Sequence, residues 1–466
     1  MYQWLQDSYI FRLMSRGIFN TRGFGRVIEG LTSYFQEVTR SCVTGATPMS
    51  LPASMAQSRR LIRSFHVIAK PLGSVCNLEC TYCYYLHKKD LLRDTTTGAM
   101  ADDLLETFIR QYIASQDADS VTFTWHGGEP ALLGLDFYRK IIRLQQEHAG
   151  KKQIKNNLQT NGILLDDAWC GFLKEHQFLV GLSIDGPKQL HDRFRVSKGG
   201  VPSFDQVYRA ARLLQQYEVP FSTLTVVSSS NARHPEEVYR FLTEDLESRQ
   251  LQWIPCVEPK DFCTTAPGRW DPAGMPVLGT SAASPGHPNS VVTDWSVDPD
   301  DWGEFLCRTF DLWYQNGLGT VVINWFESLV RQWMRQPAQI CSLADVCGRS
   351  LIVLEKDGGL YSCEHFVFPQ YRLGNLRDTD CRLDDVVYSP RQRKFGCNKR
   401  DSLPAYCKQC SYCFACNGEC PKNRFIKTPD GQPGLNYLCP GIKRFLAHAD
   451  PYLRWITTQL YRSIPV

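Results

Sequence analysis

The chain has no stretch approaching the roughly 20 consecutive apolar residues that a membrane-spanning helix needs, so the sequence predicts no membrane span. It has little net charge, +4 over 466 residues, which argues against nucleic acid or an anionic membrane surface as partner. It has no internal repeat and no charged-and-apolar leader of the secretory kind, and from this a cytoplasmic location is expected. Nor does it have the polar, apolar-poor composition of a disordered chain, since 43% of residues are apolar and 21% charged, ordinary values for a globular protein. At this length a single compact core is exceeded, and one large domain with smaller ones is expected.

What the chain does have is cysteine, 19 of them. They are bunched in two places, odd in number and set in a long chain. A secreted disulfide framework fits none of these features, and metal binding fits all three.

Residues 1–64 are rich in arginine and read as an N-terminal extension, either loosely ordered or a targeting segment. From residue 65 apolar β-rich runs occur at Phe65–Lys70, Val121–Trp125, Ile154–Gln159, Val180–Ile184, Phe221–Val227 and Leu251–Cys256. Helix-like segments such as Asp102–Ser115, Asp136–His148 and Phe204–Tyr217 lie between them. This alternation predicts an α/β fold, a parallel sheet with right-handed crossovers forming a partial (β/α)6 TIM-like barrel over residues 65–300, with its chemistry at the C-terminal strand ends. A Pro/Gly/Ser-rich stretch at 266–293 reads as a surface insertion or linker. Residues 301–340 read as a helical connector, 341–440 as a cysteine-rich domain and 441–466 as a C-terminal helix.

Directly after the first strand comes Cys76-Asn-Leu-Glu-Cys80-Thr-Tyr-Cys83. Three thiolates within eight residues can ligate three irons of a [4Fe–4S] cube, leaving the fourth for the amino and carboxylate groups of S-adenosylmethionine. A structural zinc site is the bland alternative, but it normally takes four protein ligands. Gly127-Gly128-Glu129-Pro130 follows the second strand, and the two motifs together match the radical-SAM superfamily. Near the C-terminus stand Cys341, Cys347, Cys363, Cys407, Cys410, Cys416, Cys420 and Cys439. Eight thiolates suit two four-cysteine sites, with zinc as the competing occupant.

That arrangement resembles the SPASM extension of peptide-modifying radical-SAM enzymes. The resemblance implies three [4Fe–4S] clusters in all, one auxiliary cluster on Cys341, Cys347, Cys363 and Cys420 and the other on Cys407, Cys410, Cys416 and Cys439. Cys42, Cys170, Cys256, Cys263, Cys307, Cys381, Cys397 and Cys413 are left without assignment, with Cys413 placed to compete for a ligand role. More narrowly, residues 65–460 look like the anaerobic sulfatase-maturating enzymes, on KPLGSVCNLECTYCYYL, GGEPALLGLDFY, LQTNGILLDDAWC, FLVGLSIDGPKQLHDRFR, PQYRLGN and the SPASM cysteines.

The resemblance implies radical oxidation of a Cys or Ser residue to Cα-formylglycine. The partners it implies are an unfolded or nascent sulfatase polypeptide with a Cys/Ser-x-Pro-x-Arg segment and an electron donor such as flavodoxin or ferredoxin. Another SPASM peptide modification, such as thioether or other crosslink formation, is the alternative, and a zinc-stabilised scaffold is a non-enzymatic one. Carried over position by position, Tyr82, Gly128, Ser183, Arg195 and Val257 contact the cofactor, while Tyr85 and His126 lie at the substrate. The base is Glu364, where the family usually has Asp; His126 stands where relatives commonly have Gln. An extra methylene moves the carboxylate by about 1 Å, a displacement that can cost roughly a hundredfold in rate. His126 or His365 is therefore a candidate to share the acid–base work.

Overall fold

A computed structural model describes residues 64–92, 98–348 and 351–462; the N-terminal extension and Cys42 lie outside them. The six expected strands all form: β1 (His66–Lys70), β2 (Ser120–Trp125), β3 (Gln153–Thr160), β4 (Leu179–Ser183), β5 (Phe221–Val227) and β6 (Gln250–Pro255). Each pairs in parallel with the next. The helices between them are α1 (Asp102–Ala114), α2 (Gly134–His148), α3 (Asp167–Glu175), α4 (Phe204–Gln216) and α5 (Pro235–Arg240). Their apolar residues follow the helical period. In α1, Leu104, Leu105, Phe108, Ile109, Tyr112 and Ile113 are buried, one continuous face laid on the sheet. Its aromatics stack against the strands, with Phe108 and Tyr112 meeting Phe123 edge-on at 5.7 and 4.9 Å. With helices over it, the sheet buries strand residues of both orientations, as parallel sheets do.

The sheet is larger than six strands. β7 (Val322–Ile323) joins β6 in parallel, and β8 (Leu351–Glu355) joins β1 in parallel from the other side. β9 (Gly359–Tyr361) and β10 (Arg372–Asn375) then extend it antiparallel. The order is β10-β9-β8-β1-β2-β3-β4-β5-β6-β7, an open sheet with β10 and β7 at its ends. β7 has two residues, too few to show a period, and β8 to β10 are separated from β1 by some 280 positions of chain, so their pairing is invisible to local pattern.

The 266–293 stretch, largely exposed or half-buried, is tied to other segments. Val277 bridges to Lys427, and Lys427 N donates to Pro276 O at 2.8 Å. The Tyr371 hydroxyl donates to Pro267 O at 2.5 Å.

After it come α6 (Pro299–Leu312), α7 (Asn324–Trp333), α8 (Pro390–Asp401) and α9 (Cys439–Arg462). α6 and α9 touch at Gly303 and Gly441, where a Cβ on Gly441 would lie 1.9 Å from Pro299 O. Only glycine permits that approach, and it docks the helix that begins at Cys439. Among the described residues no helix is long and apolar enough to cross a membrane.

Candidate functional site

The parallel register sets the site. β1 ends at Lys70, which lies opposite Glu355 at the end of β8. On its other side β1 pairs with β2, so that His126, just past β2, donates its N–H to Ala69 O at 2.9 Å. The cysteine loop leaves β1 at this same end. It is clamped by backbone: Gly128 N donates to Gly73 O at 2.7 Å and Glu129 N to Val75 O at 2.8 Å, while Glu79 N and Thr81 N donate to Val196 O and Phe194 O at 2.8 and 2.9 Å. A Cβ at Gly128 would lie 2.0 Å from Val75 O, so this turn tolerates no side chain.

The Glu129 carboxylate is bonded within the protein. Its oxygens accept from Ala131 N, Thr160 Oγ1 and Asn161 N at 2.7–2.9 Å, tying the glycine turn to the end of β3. Burial nevertheless pushes its carboxyl up to about 7, against those three hydrogen bonds.

Two of the positions expected to contact the cofactor, Tyr82 and Arg195, converge on Asp185. Arg195 grips both Asp185 oxygens at 2.9 and 3.2 Å, Tyr82 donates its hydroxyl to the same carboxylate, and Val226 N donates to it at 2.9 Å. The Arg195 guanidinium lies 5.5 Å from the centre of the Tyr82 ring. Ser183 Oγ accepts from Gln159 at 3.0 Å. Val257 is fully buried, and its carbonyl accepts from Lys422 Nζ at 2.6 Å.

The radical-site loop offers three thiols within reach of one another, since the charges of Cys76 and Cys83 both act on Cys80. Burial pushes Cys76 up to about 11 and Cys80 to about 12, so thiolate at neutral pH needs bound iron to stabilise it. The C-terminal thiols sort into two groups in space. Cys341, Cys347 and Cys420 are near enough to Cys363 for their charges to act on it. Cys407 and Cys410 neighbour Cys439, which with Cys407 neighbours Cys416. This second group, together with Cys413, lines one small pocket. All-thiol donors of this kind suit iron–sulfur clusters.

Glu364 sits in a helical turn directly after Cys363. Its Oε1 accepts from Lys70 Nζ at 3.1 Å and lies 3.3 Å from His126 Nε2, and the Tyr84 hydroxyl also bonds the carboxylate. His126 Nδ1 accepts from Gly127 N at 2.7 Å; a neutral imidazole that accepts on Nδ1 carries its proton on Nε2 and donates it to Glu364. Burial pushes His126 down to about 4, so at neutral pH Lys70 is the cation that matters. Burial works against the charge on Glu364, but its cationic and hydrogen-bonding neighbours outweigh it and hold the carboxyl well below the usual range. Tyr85 lies behind this group, its hydroxyl donated to Glu355 and its ring 3.5 Å from Lys70 Nζ.

Comparison with known proteins agrees with this construction. The Radical SAM superfamily profile matches residues 71–242, and an iron–sulfur cluster-binding domain, SPASM, matches 341–411. A serine-type anaerobic sulfatase-maturating enzyme of Bacteroides thetaiotaomicron is 42% identical over 398 residues, covering 85% of this chain and 92% of the relative. The chain belongs to the anaerobic sulfatase-maturating enzymes. A cysteine-type member from Clostridium perfringens is 33% identical, over 83% of this chain and 96% of its own. The solved structure of native anSMEcpe with bound AdoMet and a Cp18Cys peptide superposes with a TM-score of 0.70 at 32% identity, covering 85% of this chain and 99% of that one. The chain is thus a radical-SAM enzyme with [4Fe–4S] clusters and S-adenosylmethionine as cofactors.

Within this sulfatase-maturating scaffold Lys70, Tyr84 and Asp185 belong to the site although none was among the residues expected there. One signal was present for Lys70: an apolar strand ending in lysine immediately before the cysteine loop, at the strand end where barrel chemistry sits. Tyr84 had only its place beside Cys83. Asp185 had its LSIDGP context, but nothing local marks it as the anchor of Arg195.

Proposed function

We propose that this enzyme oxidises a serine or cysteine side chain of a sulfatase polypeptide to Cα-formylglycine, with Glu364 as the proton acceptor. One observation carries this reading: a carboxylate adjoining the auxiliary-cluster ligand Cys363 is held ionised by Lys70, His126 and Tyr84, at the strand ends where the cysteine loop also lies. When bound, S-adenosylmethionine on the radical-site cluster supplies a carbon radical that takes a hydrogen atom from the target Cβ, and the auxiliary clusters supply an acceptor for the second electron. Oxidising an alcohol to an aldehyde removes two hydrogens, so one proton is left for the protein.

Glu364 is charged and ready for it. A carboxylate held by Lys70 and His126 is a weak base, but a hydroxyl or thiol on a carbon that has lost hydrogen is far more acidic than its parent. Lys70 and the neutral His126 fix the carboxylate rotamer and offset the longer arm of Glu relative to Asp. Tyr82, Gly128, Ser183, Arg195 and Val257 shape the cofactor site, with Asp185 holding Arg195 and Tyr82.

The target segment is Cys/Ser-x-Pro-x-Arg, the electron donor a flavodoxin or ferredoxin, and the setting the cytoplasm. Serine is taken first, because the serine-type relative is the more similar of the two described.

The test is anaerobic reconstitution, reduction, and incubation with S-adenosylmethionine and serine and cysteine peptides of this motif, followed by mass spectrometry. A serine peptide lighter by two hydrogens, with 5′-deoxyadenosine formed alongside, is the expected result. Cofactor cleavage with no oxidised peptide of either kind would overturn the reading.

A further inference from the structure

The Asp185–Arg195 ion pair is buried, its side chains 3% and 8% exposed. A buried pair offsets the loss of water around its charges only when its geometry is closely kept. A second connection joins the two residues through their backbones. Asp185 N donates to His191 Nδ1 at 3.3 Å, His191 Nε2 bonds Ser203 Oγ at 3.0 Å, and Ser203 Oγ donates to Arg195 O at 2.8 Å. We propose that His191, acting through Ser203, is a positioning residue that fixes Asp185 and Arg195 for the binding of S-adenosylmethionine. The proposal rests on the reading above that Arg195 and Tyr82 contact the cofactor.

The hydrogen bonds leave one arrangement of protons. Ser203 gives its hydroxyl proton to Arg195 O, so toward His191 it accepts. His191 therefore carries its proton on Nε2 and accepts on Nδ1, a neutral tautomer with both nitrogens in use. The ring is fully buried, and burial pushes it down to about 3, so it is neutral at neutral pH. The far end of the relay is fixed in turn. Asp192 Oδ1 accepts from Ser203 N and Phe204 N at 3.0 and 2.8 Å, at the start of α4. The Phe204 ring meets the His191 ring edge-on at 5.7 Å. Packing alone would be served by a phenylalanine at 191, but that would leave the Asp185 N–H buried without a partner.

The relay acts at a joint of the cofactor site. The carbonyls on either side of Arg195, those of Phe194 and Val196, accept from Thr81 N and Glu79 N of the cysteine loop at 2.9 and 2.8 Å. The Arg195 carbonyl between them is the one that Ser203 takes. Releasing it frees the guanidinium to shift and loosens the two bonds to the cysteine loop with it. Tyr82 belongs to that loop and bonds Asp185 from it, and the Arg195 charge acts on Cys80 and Cys83. The Asp185 backbone is held on its other side as well, since Asn231 Nδ2 donates to Asp185 O and Val226 O, both at 2.9 Å. His191 thus holds the N–H of Asp185 and Asn231 its carbonyl. An arginine whose backbone can move keeps its charge but loses its aim, so the penalty falls on cofactor affinity.

The experiment measures the Kd of S-adenosylmethionine for the reconstituted holoenzyme by calorimetry. It needs no peptide, so its result stands whatever the peptide product. His191→Phe keeps ring volume and is expected to raise Kd about tenfold, roughly what a lost buried hydrogen bond is worth. His191→Asn, which keeps an acceptor near the place of Nδ1, is expected to recover part of that loss. Ser203→Ala cuts the relay at its far end and is expected to raise Kd about threefold or more. Leu214→Ala, a truncation of a fully buried side chain in α4, lowers stability without touching the relay and is expected to leave Kd as it was. Iron content reports whether each variant has folded, and Ser203→Ala decides the matter if His191→Phe has not. A folded His191→Phe with Kd within twofold of the parent, or an equal rise in Leu214→Ala, overturns the role of His191 alone. Arg195→Lys keeps the charge and loses the two-pronged grip on Asp185. If its Kd stays within twofold of the parent, the cofactor-site reading is overturned and the role of His191 with it.

Discussion

The two cysteine regions are built on opposite principles. The radical-site thiols come from eight consecutive residues, Cys76 to Cys83, and backbone holds them: glycine turns and amide–carbonyl bonds to the 73–75, 127–129 and 194–196 segments. The auxiliary thiols come from positions spread between 341 and 439, and buried cationic side chains hold the segments together. Lys399 Nζ donates to the carbonyls of Cys341 and Ser342 at 2.8 and 2.7 Å, and Arg424 donates to Gly418 O and Asn417 O at 2.9 and 2.8 Å. A contiguous loop needs only local geometry, whereas a dispersed set has to be assembled by side chains able to reach several carbonyls at once. Damage should therefore stay local in the first region and spread in the second.

The sharpest break is Cys80→Ser. It is expected to remove one cluster's iron and to bring 5′-deoxyadenosine formation below detection, while the auxiliary clusters keep their absorbance. Loss of all iron would show that the first region does not stand alone. Next is Glu364→Gln, which keeps the cluster ligands and removes the base. The yield of formylglycine per 5′-deoxyadenosine is expected to fall about 10²- to 10⁴-fold, the usual worth of general base catalysis, measured by mass spectrometry of peptide and nucleoside together.

A matched glycine pair comes third. Gly128→Ala and Gly441→Ala both drive a methyl into a carbonyl, of Val75 and of Pro299, and overpacking of this kind costs about 1–3 kcal/mol. Gly128→Ala is expected to weaken S-adenosylmethionine binding by calorimetry with iron retained. Gly441→Ala is expected to lower the unfolding midpoint and lose iron from the site that includes Cys439. The smallest effect is that of Cys413→Ser. It lines the same pocket as the second auxiliary set, but iron content is expected to be unchanged and stability to stay within about 0.5 kcal/mol of the parent. Lost iron there would mean that Cys413 is a ligand.

The barrel strands were legible because their apolar runs alternate with amphipathic helices, and the observed β5 has the bounds read from the chain, Phe221–Val227. The radical-site loop was legible for the same local reason. The composition of the 266–293 segment, rich in Pro, Gly and Ser, reports little regular structure and does not reveal its contacts. Its ties to Tyr371 and Lys427 come from more than 100 residues away. Cofactor-site positions were expected only through resemblance; that Tyr82 and Arg195 share Asp185 is a tertiary fact.

The sequence by itself determined the chemistry on offer: three thiols in one loop, a glycine turn, eight further thiols and a carboxylate beside one of them. It could do so because a chain advances at most about 3.6 Å per residue, so near neighbours in sequence are near neighbours in space. What the tertiary structure decided is which distant groups meet. Lys70 and Glu364 are 294 positions apart and 3.1 Å from each other. They meet because β8 adds itself in parallel to β1 and carries the cysteine-rich segment back to the strand ends. No local pattern specifies that pairing, which follows from burying both faces and edges of one sheet at once.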